Sequence, residues 1–134
     1  IHKGRRRQLV ELMRSKGSSD ESVLGAMNQV PRQLFLDSSF LEHAYQNKAF
    51  PIGADQTISH PYTVAFQSQL LQLKAGDKVQ EIGTGSGYQC AVLLEMKAQV
   101  YTIERQNELY NKTNLLFRKM HYRPMKYDFG DGYK

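Results

Sequence analysis

The sequence has little of what disulfide-bonded, membrane-spanning and metal-binding proteins require. Its 134 residues contain one cysteine, Cys90, which excludes an intramolecular disulfide and fits a reducing compartment. No apolar run approaches the length of a membrane span and no signal sequence is visible, so we expect a cytoplasmic protein without a membrane partner. The four histidines form no HxxxH pair and no cluster with cysteine, which predicts that there is no metal site.

The chain is basic, with a formal net charge of +5, and its densest positive cluster lies at the start. Lys3, Arg5, Arg6 and Arg7 form a run that is able to bind nucleic acid or attract acidic substrates. The cluster has no interleaved aromatic residues, and an apolar stripe follows it. We therefore interpret it as the solvated start of a helix and expect no nucleic-acid partner.

The segment Val79–Tyr88, VQEIGTGSGY, has the order of a short buried strand, a glycine loop and the start of a helix. This order is typical of nucleotide-like cofactor sites in α/β proteins. The spacing differs from the GxGxxG pattern of dinucleotide sites, because the third glycine comes one residue early. No GxxxxGK[ST] element occurs either, so nothing marks a nucleoside triphosphate site.

Two further strands are predicted after this motif. Val100–Glu104 is rich in β-branched and aromatic residues and places the Glu104 carboxylate at a strand end, about 20 residues beyond the first glycine. Such a carboxylate can accept both hydroxyls of a ribose; the alternative is a surface ion pair with Arg105. Met125–Phe129 alternates apolar and polar residues and leads into Gly130, Asp131 and Gly132, which suit a tight turn.

The fold class expected from these elements is α/β, with a doubly wound, Rossmann-like, mostly parallel sheet and N-terminal helices. We expect one domain over 1–134, composed of a helical part (1–73) and the first three β/α units (74–134). The expected details are a helix over 6–16, a second helix to about 29 with a capping box of Ser18 and Glu21, a loop-rich connection with a short helix over 37–55, a helix from Pro61, one over 88–96 and one over 107–120. Gln80 is expected to be a buried amide, and Asp128 is expected to interrupt the third strand.

The acidic residue Glu81 before Gly83, Gly85 and Gly87 resembles the first motif of class I methyltransferases, which bind S-adenosylmethionine. Further segments narrow the resemblance to one methyltransferase family. They are VPRQLF (30–35), PIG (51–53), QTISHPYTVA (56–65), VYTIER (100–105) and GDG (130–132). Together they resemble the protein-L-isoaspartate O-methyltransferase family, and the resemblance spans nearly the whole chain. The family's fold continues past GDG, so we expect a C-terminally incomplete domain.

The resemblance implies methyl transfer from S-adenosylmethionine, with S-adenosylhomocysteine as product and no metal, to the carboxylate of L-isoaspartyl residues in damaged proteins. It implies that Ser59 is the active-site residue. The place of Asp131 at the tip of a turn after the third strand separately predicts that its carboxylate reaches an adenine edge; the alternative is a turn with no ligand contact. The implied cofactor-binding residues are Thr57, Ile58, Ser59, His60, Glu81, Gly83, Thr84, Gly85, Ser86, Gly87, Glu104, Arg105, Asp131 and Gly132.

Other interpretations stay open at this point. From the residues alone, Ser59 or His60 can cap the helix that begins at Pro61, so the alternative role of Ser59 is that of an N-cap. The acceptor of the methyl group is alternatively an RNA or a small molecule, and a cofactor-binding module without turnover is a third possibility. We expect a monomer.

Overall fold

The computed structural model describes residues 2–130, which form five helices, two 3₁₀ helices and five strands. In chain order these are α1 (His2–Ser15), α2 (Glu21–Met27), 3₁₀ helices at Arg32–Phe35 and Ser38–His43, β1 (Phe50–Gly53), β2 (Gln56–Ile58), α3 (Pro61–Leu70), β3 (Lys78–Ile82), α4 (Tyr88–Glu95), β4 (Gln99–Glu104), α5 (Asn107–Met120) and β5 (Lys126–Phe129).

The larger sheet has the strand order β3-β4-β5, and both neighbouring pairs are parallel. Its register places Glu81 beside Thr102 and Glu104 beside Phe129. Helices α4 and α5 connect the strands, as parallel pairing requires. The α/β fold class and the three parallel strands expected from the sequence are therefore confirmed.

The two faces of this sheet differ in burial. On β4, Val100, Thr102 and Glu104 are buried on the face that α4 and α5 contact. On the opposite face, Gln80 and Ile82 of β3 are exposed in the described part of the chain. The expectation of a buried amide at Gln80 is therefore wrong, because this residue alternates away from the helices.

The N-terminal helices pack against the α/β part through one apolar core. Met13 of α1, Leu24 of α2, Val64 of α3 and Val92 of α4 all belong to this buried cluster. The apolar stripe expected behind the basic run is thus confirmed, although α1 begins at His2 and not at Arg6. The core joins residues from both sides of position 74.

The start of α2 differs from the predicted capping box of Ser18 and Glu21. Asp20 is the N-cap, and its Oδ1 accepts hydrogen bonds from the amide and the hydroxyl of Ser22. Ser18 is buried and precedes the cap by two residues. Asp is as good a capping residue as Ser, and here it stands immediately before the first helical residue.

A β-hairpin lies within and just beyond the segment that was expected to be mostly loop. Strands β1 and β2 pair antiparallel, with an irregularity between Pro51 and Gly53. Ala54 and Asp55 form the turn with φ values of 51° and 57°, a left-handed conformation that glycine adopts more readily. The hairpin carries the QTI residues of the 56–65 segment to the edge of the glycine loop.

Asp128 continues β5, and its carboxylate lies 3.6 Å from the ammonium of Lys126, so the expected interruption of this strand is wrong. Among residues 2–130, the helices are too short or too polar to cross a bilayer.

We predict that Gly87→Ala destabilises the protein through α5. An added Cβ would lie 2.7 Å from both Phe117 Cε1 and Thr113 Cγ2, and the residue has a φ of +87°. Overpacking of this kind costs about 1–3 kcal/mol of unfolding free energy. Urea denaturation of the complete protein that carries this sequence measures the loss.

Gly25→Ala is the matched control for this substitution. Gly25 lies on the exposed side of α2, and an added Cβ meets nothing within 4 Å. Alanine is favoured over glycine inside a helix by about 0.5–1 kcal/mol, so this variant should be slightly more stable. Equal effects of the two substitutions would contradict the packing account.

Candidate functional site

The glycine loop, residues 83–87, lies between the carboxyl end of β3 and the first residue of α4. All three of its glycines have positive φ, with values of 90° at Gly83, 57° at Gly85 and 87° at Gly87. A Cβ at Gly83 would stand in open space, whereas one at Gly87 would collide with α5. Gly83 therefore leaves room beside the loop, and Gly87 permits close packing of the loop on the protein.

The amides of this loop are largely used inside the protein. The Ile103 carbonyl accepts from the amides of Gly83 at 2.8 Å and Thr84 at 3.2 Å, and Glu104 Oε1 accepts from the Gly85 amide at 2.7 Å. A phosphate-binding loop instead points such amides at its ligand. The geometry therefore disfavours a phosphate site, in agreement with the spacing of the motif.

Glu104 ends β4 as a buried carboxylate that is 3% exposed. Its Oε1 accepts from Gly85 and its Oε2 accepts from the Gln106 amide at 2.8 Å. Each carboxylate oxygen has a second lone pair, so Glu104 can still accept from a ligand. The alternative of a surface ion pair with Arg105 is wrong, because Glu104 is buried and its oxygens bond to backbone amides.

A chain of side-chain hydrogen bonds connects the loop to Glu81. The hydroxyls of Thr84 and Thr102 lie 2.6 Å apart, and Thr102 donates to Glu81 Oε1 at 2.7 Å. Thr84 and Thr102 are both buried. While Glu81 is ionised, its carboxylate accepts the Thr102 proton, and the Thr84 hydroxyl is then the donor in the bond between the two threonines.

The pKa of the Glu81 carboxyl group is raised above its usual value. Burial raises its pKa from 4.5 to about 7, the nearby Glu104 carboxylate acts in the same direction, and the bond from Thr102 opposes them. A neighbouring carboxylate and partial burial both disfavour ionisation of the Glu81 carboxyl group. In the ligand-free protein Glu81 is consequently protonated over part of the neutral range.

Two cavities flank the loop and share several of its residues. The first has a volume of about 370 Å³ and lies between the hairpin end, β3, the loop and helices α3 and α4. The second has a volume of about 420 Å³ and lies between the loop and the end of β4. Of the expected residues, the first is lined by Thr57, Ile58, Ser59, Glu81, Gly83, Thr84, Gly85 and Ser86, and the second by Thr57, Gly83, Gly85, Glu104 and Arg105.

Ser59 and His60 have different roles in the structure. The N-cap of α3 is His60, whose side chain makes no capping bond, so the alternative that Ser59 caps this helix is wrong. Ser59 lines the first cavity, and its backbone carbonyl accepts from Arg32. Within the described residues, His60 lines neither of the two cavities and is exposed.

The remaining expected residues fall outside these cavities or outside the described range. Gly87 packs against α5 and lines neither of the two cavities beside the loop. Asp131 and Gly132 lie outside residues 2–130, so the adenine contact stays a prediction. Gly130, immediately before them, lines the second cavity.

Two threonines that sequence reasoning did not select also hold the site. Thr102 connects Glu81 to the loop, and Thr113 of α5 donates to the Gly85 carbonyl at 2.7 Å. Thr102 was detectable in principle, because it lies two residues before Glu104 and so shares its face of the strand. Nothing in the sequence pairs Thr113 with a residue 28 positions away.

No group of three or more histidine, cysteine, aspartate or glutamate side chains within residues 2–130 is arranged to hold a metal ion. Cys90 is buried on α4, and burial raises the pKa of its thiol well above the usual range. It is therefore a small apolar packing residue and not a ligand or nucleophile.

We predict that Glu81→Gln alters how stability depends on pH. The folded state binds a proton at Glu81 between pH 4.5 and about 7 that the unfolded state has released, so this group lowers the unfolding free energy as pH rises through that window. Relative to the wild type, the glutamine variant should gain about 1–3 kcal/mol between pH 5 and pH 8. Urea denaturation at both pH values measures this difference.

Glu108→Gln, at an exposed position on α5, is the matched control and should show no such gain. A stability difference between Glu81→Gln and the wild type that is the same at pH 5 and pH 8 would show that Glu81 titrates normally.

Comparison with known proteins gives one consistent result. The family model described as protein-L-isoaspartate(D-aspartate) O-methyltransferase matches residues 4–134. Curated relatives named protein-L-isoaspartate O-methyltransferase include proteins of Christiangramia forsetii, 63% identical over 133 residues, and Flavobacterium johnsoniae, 60% identical over 133 residues. In both cases the match covers 99% of this chain and 62% of the relative, so the chain spans about three fifths of their length.

The fold agrees with solved structures. A structure named protein-L-isoaspartate O-methyltransferase matches with a TM-score of 0.85 and 26% identity, over 96% of this chain and 43% of that chain. A Plasmodium falciparum protein described under the same activity, in complex with S-adenosyl-L-homocysteine, matches with a TM-score of 0.72 over 94% of this chain and 62% of that chain; at 22% identity it supports the fold alone. By its sequence and by its fold, this chain belongs to the protein-L-isoaspartate(D-aspartate) O-methyltransferase family.

Proposed function

We propose that the protein transfers the methyl group of S-adenosylmethionine to the carboxylate of L-isoaspartyl residues in damaged proteins and peptides. The supporting observation is the meeting of the glycine loop with Glu104 at the carboxyl ends of β3 and β4, where α/β sheets bind their ligands. Membership of the family and the names of the curated relatives support the acceptor.

The residues around the loop fit a nucleoside cofactor without a phosphate. Gly83 leaves open space, and the loop amides are occupied by β4. Glu104 and Arg105 line the second cavity and would face the ribose, while the first cavity would accommodate the methionine portion beside Glu81. The solved Plasmodium falciparum relative is described with the demethylated cofactor, S-adenosylhomocysteine.

Methyl transfer to a carboxylate requires little acid–base catalysis by the protein. When bound, S-adenosylmethionine would supply a methyl group on a positively charged sulfur. Transfer of that methyl to the acceptor oxygen, with the bonding pair left on sulfur, would yield a methyl ester and S-adenosylhomocysteine. A carboxylate with an ordinary pKa near 4 is already ionised at neutral pH, so no general base is required. The protein's contribution is alignment and exclusion of water, and alignment alone is worth up to roughly 7–11 kcal/mol.

Ser59 is the residue we assign to the acceptor. It lines the first cavity at the end of the hairpin, and its hydroxyl is available to donate to a carboxylate of the acceptor or of the cofactor. Thr57 and Ile58 precede it along β2 and line the same cavity. These three residues would cover the cofactor and form the wall on the acceptor side.

A direct test uses two synthetic peptides that differ only in one aspartyl linkage. The complete protein that carries this sequence should methylate the isoaspartyl peptide and leave the normal aspartyl peptide unmodified, as measured by transfer of a labelled methyl group. Methylation of RNA or of a small molecule in place of the peptide would instead favour a methyltransferase that acts on that acceptor. Binding of S-adenosylhomocysteine without methylation of any acceptor would favour a cofactor-binding module.

We predict that Glu104→Gln weakens binding of S-adenosylhomocysteine. Loss of a charged acceptor facing two hydroxyls costs about 1–3 kcal/mol, equivalent to roughly 5- to 150-fold in the dissociation constant. Titration calorimetry measures the affinity, and Glu108→Gln on the exposed side of α5 should bind as the wild type does. An unchanged affinity for a folded Glu104→Gln protein would remove this residue from the cofactor site.

We further propose that the protein acts in the cytoplasm as a monomer, without a nucleic-acid or membrane partner. The single buried Cys90 suits a reducing compartment. Arg5 and Arg7 of the basic run are exposed on α1, and Arg5 donates to the carbonyl of Glu42, which is consistent with a solvated helix face. Light scattering of the purified protein tests the oligomeric state.

A further inference from the structure

Arg32 is a buried arginine. It follows Pro31 in the first 3₁₀ helix and has no exposed surface. Its Nε donates to the Ala44 carbonyl at 3.0 Å, and its Nη2 donates to the carbonyls of Lys48 at 3.2 Å and Ser59 at 3.0 Å. Within the described residues no carboxylate pairs with it, and its Nη1 has no hydrogen-bond partner.

A buried cation without an anionic partner is costly, so its position requires an explanation. Burial lowers the pKa of Arg32, but a guanidinium remains protonated in proteins at any physiological pH. Neutral carbonyl groups compensate a buried charge only in part. An apolar residue with similar volume would fill the same space without the unpartnered Nη1.

The contacts of Arg32 join parts of the chain that are distant in sequence. Ala44 immediately follows the second 3₁₀ helix, Lys48 precedes β1, and Ser59 follows β2, so the guanidinium holds both ends of the hairpin. Its Cζ lies 4.7 Å from the ring centroid of Tyr88, the first residue of α4. One side chain therefore connects the hairpin to the helix that follows the glycine loop.

Ser59 and Tyr88 both line the first cavity, and Arg32 contacts both of them. The bond to the Ser59 carbonyl restrains the backbone that carries the Ser59 hydroxyl beside the first cavity. A guanidinium that donates to three carbonyls and lies over an aromatic ring is restrained in both translation and rotation. Errors of about 1 Å in the position of an aligning group can cost roughly 100-fold in rate.

The positive charge of Arg32 also suits an acceptor that carries a negative charge. Among the described residues, the charged side chains that line the two cavities are those of Glu81, Glu104 and Arg105, and the acceptor of the proposed reaction brings another carboxylate. A buried positive charge behind Ser59 acts through a medium of low dielectric constant, where charges interact more strongly than in water. It would favour an anionic acceptor at the Ser59 wall.

We propose that Arg32 is a positioning residue that fixes Ser59 against the first turn of α4 and so aligns the acceptor carboxylate for methyl transfer. The proposal rests on the proposed function. Arg32 acts through Ser59, and its loss should therefore affect turnover more than cofactor binding.

The test uses the complete protein with S-adenosylmethionine and an isoaspartyl peptide. Arg32→Lys retains the charge but loses the planar group over the Tyr88 ring and the fixed set of donors. We expect its kcat to fall by about 10-fold or more, with the dissociation constant of S-adenosylhomocysteine within roughly 3-fold of the wild type. Circular dichroism and the thermal midpoint establish that the variant is folded.

A double-mutant cycle separates positioning from general destabilisation. Ser59→Ala should lower kcat, and adding Arg32→Lys to Ser59→Ala should lower it by less than about 2-fold, because the hydroxyl that Arg32 positions is gone. A residue with only a structural role would reduce kcat by the same factor in both backgrounds. If Arg32→Lys does not fold, the same cycle with Tyr88→Leu, which removes the stacking face and leaves the carbonyl acceptors, decides the question.

Several outcomes would overturn the proposal. Arg32→Lys with wild-type kcat would do so, as would independent losses in the cycle or a Ser59→Ala variant with full turnover. In each of these cases the wild type still methylates the isoaspartyl peptide, so the proposed function stands. Failure of the wild type to methylate that peptide would instead contradict the proposed function, and the role of Arg32 with it.

Discussion

The site depends on the attachment of the glycine loop to the end of β4. The Ile103 carbonyl and the Glu104 carboxylate between them accept three consecutive amides of the loop, those of Gly83, Thr84 and Gly85. An amide left unpaired in this partly buried place would cost about 1–3 kcal/mol, so the three bonds hold the loop strongly. Since β4 lies in the centre of the sheet, the loop takes its position from the sheet, and the cavities on its two sides follow from that position.

The buried face of the sheet changes character along the strands. Val79 and Val100 lie side by side at its amino end, where they contribute to apolar packing, while Glu81, Thr102 and Glu104 occupy the carboxyl end of the same face. Polar groups buried at this end lower the stability of the sheet relative to an apolar continuation. The hydrogen bonds through Thr102 and the loop compensate part of that cost, and the raised pKa of Glu81 shows that the compensation is incomplete.

The sequence predicted the elements that have a local signal and failed where distant contacts decide. The bounds of α5 agree with the prediction, and β4 differs by one residue, because helical and strand periodicity are properties of the segment itself. The hairpin was missed because its strands have four and three residues and its turn uses Ala54 and Asp55 in place of glycine. Gln80 was misjudged because which face of a strand is covered depends on where the helices pack, not on the strand.

In the candidate site, too, residues with a local sequence signal were predicted and distant contacts were not. The loop glycines and Glu104 were predictable, because backbone freedom and a strand-end carboxylate leave a mark at a fixed spacing, whereas the bond between Arg32 and Ser59 spans 27 residues and leaves none.

Those distant contacts make the loop rigid from several directions. Thr113 of α5 donates to the Gly85 carbonyl, Ile52 of β1 stands 3.8 Å from the place of a Cβ at Gly85, and α5 closes on Gly87. A loop bonded to both β4 and α5 is already ordered when a ligand arrives. The entropy of fixing it is therefore lost during folding, and binding does not have to compensate for it again.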